Sequence, residues 1–266
     1  MISPRLVARA LVVACALPLL FPAISADAAR HRRRSSSKRK AVPAKPAPEA
    51  VLSEWKTGAP LDGLVAYWPA DGNAADVAGK FNGSPSPSVT YAPGKAGLAF
   101  QLDGTSAFVG VPFNAAFDVD PQKQFTVASW VCPETVGHYQ AIFVKAAPRG
   151  PWEYGIIIDP NGHFYSGRDA NDVAQSTTVI VPGTWYHVAV TYDAGAITTY
   201  VNGVQEAVVH GVEIGRSDAG LCIGHKGETS VIGEDPDWFQ GKIDDLRFYN
   251  RALSADEVKT LYSAIK

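Results

Sequence analysis

Phe125-Thr126-Val127-Ala128-Ser129-Trp130-Val131 is the stretch that decides the fold class. It is β-branched and aromatic almost throughout and holds no Gly, Pro or charge, the composition of a buried strand. Ala141-Ile142-Phe143-Val144 and Tyr154-Gly155-Ile156-Ile157-Ile158 repeat the pattern downstream. Tight turns separate such runs. Asp159-Pro160-Asn161-Gly162 and Val201-Asn202-Gly203-Val204 carry Asn-Gly, which supplies the positive φ that hairpin turns need. Trp185 to Tyr192 runs to a turn at Asp193–Gly195, and Ile197 to Val201 returns. Helical apolar spacing first appears at the end, where Ser254 and Glu257 form a capping box and Leu253, Val258, Leu261 and Tyr262 form the buried stripe. The expected fold is an all-β antiparallel sandwich closed by one short C-terminal helix.

Composition agrees. The 266 residues include 24 Gly, 19 Pro and one Met, which suits a turn-rich β protein better than a helical bundle. A hydrophobic content of 46% argues against wholesale disorder, three Cys argue against a disulfide-dense miniprotein, and short apolar runs argue against a polytopic membrane protein. The net charge of −2 conceals a division. Residues 1–50 hold ten Lys/Arg and two Asp/Glu, which leaves 14 basic and 24 acidic residues for the rest.

The basic head has two parts. Residues 1–28 have the order of a secretory signal peptide: Arg5 and Arg9, an apolar stretch from Ala10 to Ile24, then Ala26-Asp27-Ala28 as a small-x-small cleavage site. The apolar stretch is shorter than the ~20 residues of a membrane-spanning helix, so a cleaved signal is expected over an uncleaved anchor, with no span in the mature chain. Residues 29–59 begin with Arg30-His31-Arg32-Arg33-Arg34-Ser35-Ser36-Ser37-Lys38-Arg39-Lys40 and continue rich in Ala, Pro and Lys, the make-up of a disordered tether. Its readings are a solvated linker, an arm for an anionic surface or, least in keeping with export, an arm for nucleic acid. Residues 60–266 form the sandwich.

The body resembles the laminin G-like domains of the concanavalin A-like lectin/glucanase superfamily, in the bacterial jelly-roll form. The matching pieces occur in family order: Gly63-Leu64-Val65-Ala66-Tyr67-Trp68 with Asp71-Gly72-Asn73 and Asp76-Val77-Ala78-Gly79, then Gly94 to Phe100, Leu102-Asp103-Gly104 and Phe125 to Val131. Trp185-Tyr186-His187-Val188-Ala189, Tyr200-Val201-Asn202-Gly203 and the terminal Gly241 to Ser254 complete the series. The resemblance implies an exported binding module, for carbohydrate or for a protein at the cell surface. A glycan-cleaving relative is the enzymatic alternative.

Catalytic patterns are absent from the sequence. There is no His-Glu-x-x-His, no Gly-x-Ser-x-Gly, no phosphate-binding Gly-rich loop and no Cys-x-x-Cys. The Glu-x-Asp-x-x-Glu string of glucanases with this fold is missing too, and Glu234-Asp235-Pro236-Asp237-Trp238 is interrupted by Pro236. By resemblance, Ca²⁺ is the expected cofactor, with Asp76 and Asp244 as first ligands and Asp71 and Asn82 as further ones. The competing roles are Asx turns for Asp71 and Asp76, and a backbone anchor for Asp244. Trp68, Trp130 and Trp185 are expected in the core, with His187 as a hydrogen-bonded core residue. His138, Tyr139, Trp152, Tyr165 and Trp238 stand beside polar or Gly/Pro neighbours, and with Asp172 they are the candidate ligand-binding residues, rings for sugar C–H faces beside groups for hydroxyls. Cys132 and Cys222 leave two readings open, one bridge or two buried thiols.

Overall fold

The structure, a computed structural model, describes residues 59–118, 124–146, 152–167, 172–226 and 237–265, with Ala146 and Trp152 described by their backbone alone. The expected signal peptide, nearly all of the expected linker, and Glu234 to Pro236 lie outside the described residues. The strands are β1 Leu64–Trp68, β2 Ser84–Pro85, β3 Thr90–Pro93, β4 Leu98–Asp103, β5 Val109–Val111, β6 Gln124–Pro133, β7 Gln140–Ala146 and β8 Trp152–Ile158. They continue as β9 His163–Gly167, β10 Val173–Val179, β11 Tyr186–Asp193, β12 Ala196–Val201, β13 Val204–Val209, β14 Leu221–Ile223 and β15 Gln240–Tyr249, before helix α1, Ala255–Ala264.

Two sheets result. The first runs β13-β12-β11-β6-β15-β4-β3, with β1 paired to the far half of β15; the second runs β10-β9-β8-β7-β14-β5-β2. Every pairing is antiparallel. Between the sheets Phe100, Val127, Val131, Leu246 and Phe248 face Ile142, Phe143, Tyr154, Ile156, Phe164 and Ile223. Each such side chain contributes about 2 kcal/mol by leaving water.

One irregularity sets the register of β15. Asp244 pairs with Trp130 and Arg247 with Ala128, so Asp245-Leu246 stands opposite Ser129 alone, and Asp245 takes a left-handed φ of 57°. The extra residue inverts the alternation. Ile243 faces the core before the bulge, and Leu246 and Phe248 face it afterwards.

Helix α1 covers the outer face of the first sheet. Val258, Leu261 and Leu253 pack with Ala128, Ala189, Tyr200 and Tyr249. The expected capping box is present, with Ser254 Oγ accepting from Glu257 N and Glu257 Oε2 accepting from Ser254 N. Tyr262 stays half-buried, its ring 5.5 Å from Trp130.

Two expectations need correction, and one open alternative is decided. Trp68 and Trp130 are buried, but Trp185 is half-exposed because β11 begins one residue later, at Tyr186. His187 is buried on the outer face rather than between the sheets, and its Nδ1 has no hydrogen-bond partner. Cys132 and Cys222 are both free thiols. Cys132 shares the outward parity of Ala128 and Trp130 on the first sheet, and Cys222 lies between core-facing Leu221 and Ile223 on the second. The two sulfurs therefore point away from each other across the whole sandwich.

Candidate functional site

One end of the second sheet gathers partly exposed rings. In β9 Phe164 enters the core, so Tyr165 faces outward, clustered with Ala141, Val144 and Ile157. Tyr139 stands one residue before β7, 47% exposed, with its ring 6.2 Å from Tyr165 at 74°, an edge-to-face pair. Next along this rim, Trp238 stacks on His225 at 3.8 Å and 22°, with Phe108 6.0 Å from Trp238 and 5.8 Å from His225. Strand ends place these three: Phe108 precedes β5, His225 follows β14, and Trp238 comes two residues before β15.

Asp237 joins the two ring groups. It holds a left-handed φ of 54°, its carbonyl accepts from Ala141 N at 2.8 Å, and its carboxylate meets Lys226 at 3.3 Å. Ala141 pairs with Ile157, and Ile157 with Tyr165, which fixes Asp237 relative to the tyrosines. A non-glycine residue in that conformation needs support from its surroundings, and here the two contacts supply it. On the other side of Tyr165, its strand partner Gln175 donates through Nε2 to Asp159 Oδ2 at 2.8 Å. Burial, followed by the charges of Tyr139, Asp237 and Asp159, pushes the Tyr165 hydroxyl well up. Burial lowers His225 to about 4, so its ring is neutral at ordinary pH and stacks on Trp238 as an apolar surface.

The structure thus brings Tyr139, Tyr165 and Trp238 to one rim, with half-buried His138 next to Tyr139 in the chain. Trp152 and Asp172 are not with them. Trp152 pairs with Ala146, and Asp172 adjoins the Val173–Gly167 pair, both at the opposite end of the sheet. Phe108 and His225 escaped the sequence reading, since Ala107-Phe108-Val109 looks like ordinary strand. The one signal was a His set directly after the apolar run Leu221-Cys222-Ile223-Gly224.

The four residues expected to hold Ca²⁺ face amide hydrogens. Asp76 Oδ1 accepts from Tyr67 N, Ala78 N and Gly79 N, and its Oδ2 from Phe81 N, all within 2.9–3.0 Å. Asn82 Oδ1 accepts from Asp76 N at 2.9 Å, and Asp71 Oδ1 from Leu98 N at 2.8 Å. Asp244 Oδ2 accepts from Lys95 N and Ala96 N at 2.8 and 3.0 Å. A cation needs convergent lone pairs, and N–H groups present the wrong polarity. The amide-facing oxygens of the four residues fit the competing role of loop anchors.

A carboxylate pair relevant to hydrolysis occurs at the other end of the sheet. Lys145 Nζ lies 2.5 Å from Glu153 and 3.8 Å from Asp118, and Arg216 binds Asp118 at 3.0 Å. Lys145 and Glu153 are both buried. An ammonium between two carboxylates fits a structural ion cluster, whereas a hydrolytic pair flanks a space open to the scissile bond.

A family model described as concanavalin A-like lectin/glucanases superfamily matches residues 103–259. Among solved structures the chain is similar to domain 4 of AbnA, a GH43 extracellular arabinanase from Geobacillus stearothermophilus, in complex with arabinotriose. Identity is 26% and the TM-score 0.59, over 76% of this chain and 98% of that one. Trypanosoma rangeli sialidase in complex with the inhibitor DANA is 19% identical, with a TM-score of 0.61 over 76% of this chain and 33% of that one. The binding domain of Paraclostridial Mosquitocidal Protein 1 is 15% identical, with a TM-score of 0.60 over 75% of this chain and 52% of that one. This chain spans a third of the sialidase, and the last two similarities show the fold alone. Among the described residues, no helix is long and apolar enough to cross a membrane.

Proposed function

Because the chain belongs to the concanavalin A-like lectin/glucanases superfamily, we propose that its sandwich is a non-catalytic glycan-binding module exported from the cytoplasm, with Tyr139, Tyr165 and Trp238 as the contact surface and buried His225 backing Trp238. One observation carries the reading: the partly exposed rings of Tyr139 and Tyr165 on one side of Asp237, and of Trp238 and Phe108 on the other, lie along one rim with hydrogen-bonding side chains between and beside them. Sugar rings present C–H faces to such a surface and hydroxyls to its polar edge. The arabinanase domain, matched over nearly its whole length and bound to arabinotriose, supports the same reading. The basic arm is a separate element that draws the protein to anionic surfaces, as its charge suggests.

The test is titration of the full chain with arabinotriose and a panel of neutral oligosaccharides, followed by tryptophan fluorescence and calorimetry. Saturable binding that weakens at least about tenfold in Trp238→Ala supports the proposal, a loss in line with removal of one aromatic contact. Binding that Trp238→Ala and Tyr139→Ala leave intact would place the site elsewhere.

A protein-binding reading has its own observation. Val136, Val179 and Val181 are 38%, 57% and 61% exposed, and Val136 and Val179 both lie beside Gly162 at this end of the sandwich. Such a patch suits an apolar partner surface. Retention of a cell-surface protein that is lost in Val179→Ser/Val181→Ser, with no response to glycans, favours it.

A further inference from the structure

Resting on the glycan-binding reading, we infer that the rim takes an internal stretch of a linear glycan chain laid across the strands, rather than a chain end or a single sugar.

Pairing register sets the ring groups on one line. Tyr165 faces outward from β9, as the alternate of core-facing Phe164. Phe108 faces outward too, since its neighbour Val109 enters the core and a side chain on Gly110 would meet Phe108 Cε2 at 3.7 Å. Ile157 pairs with both Tyr165 and Ala141, and Ile223 pairs with both Phe143 and Val109. Continued from those pairs, the register brings His225 level with Ala141 and Phe108 level with Gly224. The line from Tyr165 to Phe108 therefore runs perpendicular to the strands. It crosses β9, β8, β7, β14 and β5, four strand spacings or about 19 Å.

The partly exposed rings occupy the two ends of that line. Tyr139 and Tyr165 hold one end, and Trp238 with Phe108 the other. Between them Ile157 and Ala141 are buried, and the Asp237 carbonyl is taken by Ala141 N. A single sugar is the size of one aromatic ring, so it covers one group and leaves the other bare. A chain that reaches both gains the second contact at little further entropic cost, because the first contact holds it nearby. Beyond Tyr165 lies its exposed strand partner Gln175, and beyond Phe108 lie exposed Ser84 and Pro85 of β2. A longer chain can run on over either end, so the rim reads the interior of a polymer and discriminates by length.

The experiment is calorimetry of the full chain with two length series, arabinose to arabinohexaose and glucose to cellohexaose, and with debranched arabinan before and after borohydride reduction of its ends. In the series that binds, affinity should rise at least about tenfold from the disaccharide to the hexasaccharide and then level off. End-reduced arabinan should bind as the untreated polymer does. In Phe108→Ala/Trp238→Ala the rise should shrink to less than about threefold. Tyr139→Ala, a change at an exposed ring outside the core, should flatten it from the other end. A monosaccharide or disaccharide bound as tightly as the hexasaccharide, a polymer that loses affinity on end reduction, or a rise that persists in both variants overturns the inference while leaving glycan binding intact. If no glycan in the panel binds, the glycan reading itself fails, and the inference with it.

Discussion

Trp238 lies on His225 with ring centroids 3.8 Å apart and planes inclined by 22°, and the imidazole in that stack is uncharged because burial lowers it to about 4. His187, under helix α1, is lowered further, to about 3, by burial and then by Arg247. An unfolded histidine titrates near 6.5, so the unfolded chain takes up protons that the folded one refuses. The histidine contribution to stability is thus full above about pH 6.5 and is lost as the pH falls towards 4. Urea midpoints measured from pH 7 down to pH 4 should fall, and His225→Gln should reduce the fall.

Asp244 acts in the opposite sense. Burial raises its carboxyl to about 7, against the pull of the Ala96 and Lys95 amides. Its folded form holds a proton between about pH 4 and 7 that the unfolded chain has released, so its contribution is present at low pH and is lost as the pH rises through 7. Asp244→Asn keeps an acceptor for both amides and removes the charge. At pH 8 the variant should melt about 3 °C or more above the parent, for a gain of about 1 kcal/mol, and should show a flatter profile between pH 5 and 8. A lower melting temperature at pH 8 would contradict the buried-charge account.

Asp76 offers a test of anchor against ligand. Four backbone amides converge on its carboxylate. Asp76→Ala leaves them without that acceptor and should cost about 3 kcal/mol in urea unfolding, with Asp76→Asn milder. The loss should be the same with added Ca²⁺ and with chelator. A parent protein whose midpoint rises on Ca²⁺ addition and drops with chelator would restore the cation role.

The last helix is fastened at its first turn. Glu257 accepts from Ser254 N and also receives Arg251 in a two-point contact at 2.9 and 2.6 Å, which holds its carboxyl at about 2. Ser254→Ala should cost about 1 kcal/mol. Glu257→Gln should cost a similar amount, because it weakens the Arg251 pair and the reciprocal cap together.

The turn beneath that helix allows little substitution. Asn202 and Gly203 have φ of 51° and 77°, and a side chain on Gly203 would meet Lys259 Cα at 3.1 Å. Gly203→Ala therefore combines backbone strain with displacement of α1 and should cost more than 1 kcal/mol. Circular dichroism should show the helix signal melting ahead of the sheets.

Legibility followed the range of the forces involved. The Phe125–Val131 strand, the Asn202-Gly203 turn and the Ser254/Glu257 cap are local, set by residues within a few positions of each other, and each was readable. Trp185 was misplaced because a strand end shifts by one residue according to pairing with a distant partner. Trp152 and Asp172 were grouped with Tyr139 and Trp238 by their neighbours, yet strand direction sends them to the other end of the sheet.

By itself the sequence determined the alternation of strands and turns, the closing helix, the charge division between head and body, and the superfamily, because periodicity, turn chemistry and motif order are properties of neighbours along the chain. Only the tertiary structure decided that His225 and Phe108 join Trp238, and that Asp237 stands between the two ring groups. It also decided that the early-loop aspartates face amides and that Cys132 and Cys222 lie on opposite outer faces. Those outcomes depend on antiparallel register and on which face each residue takes, and a single added residue such as the Asp245 bulge inverts the facing of everything after it.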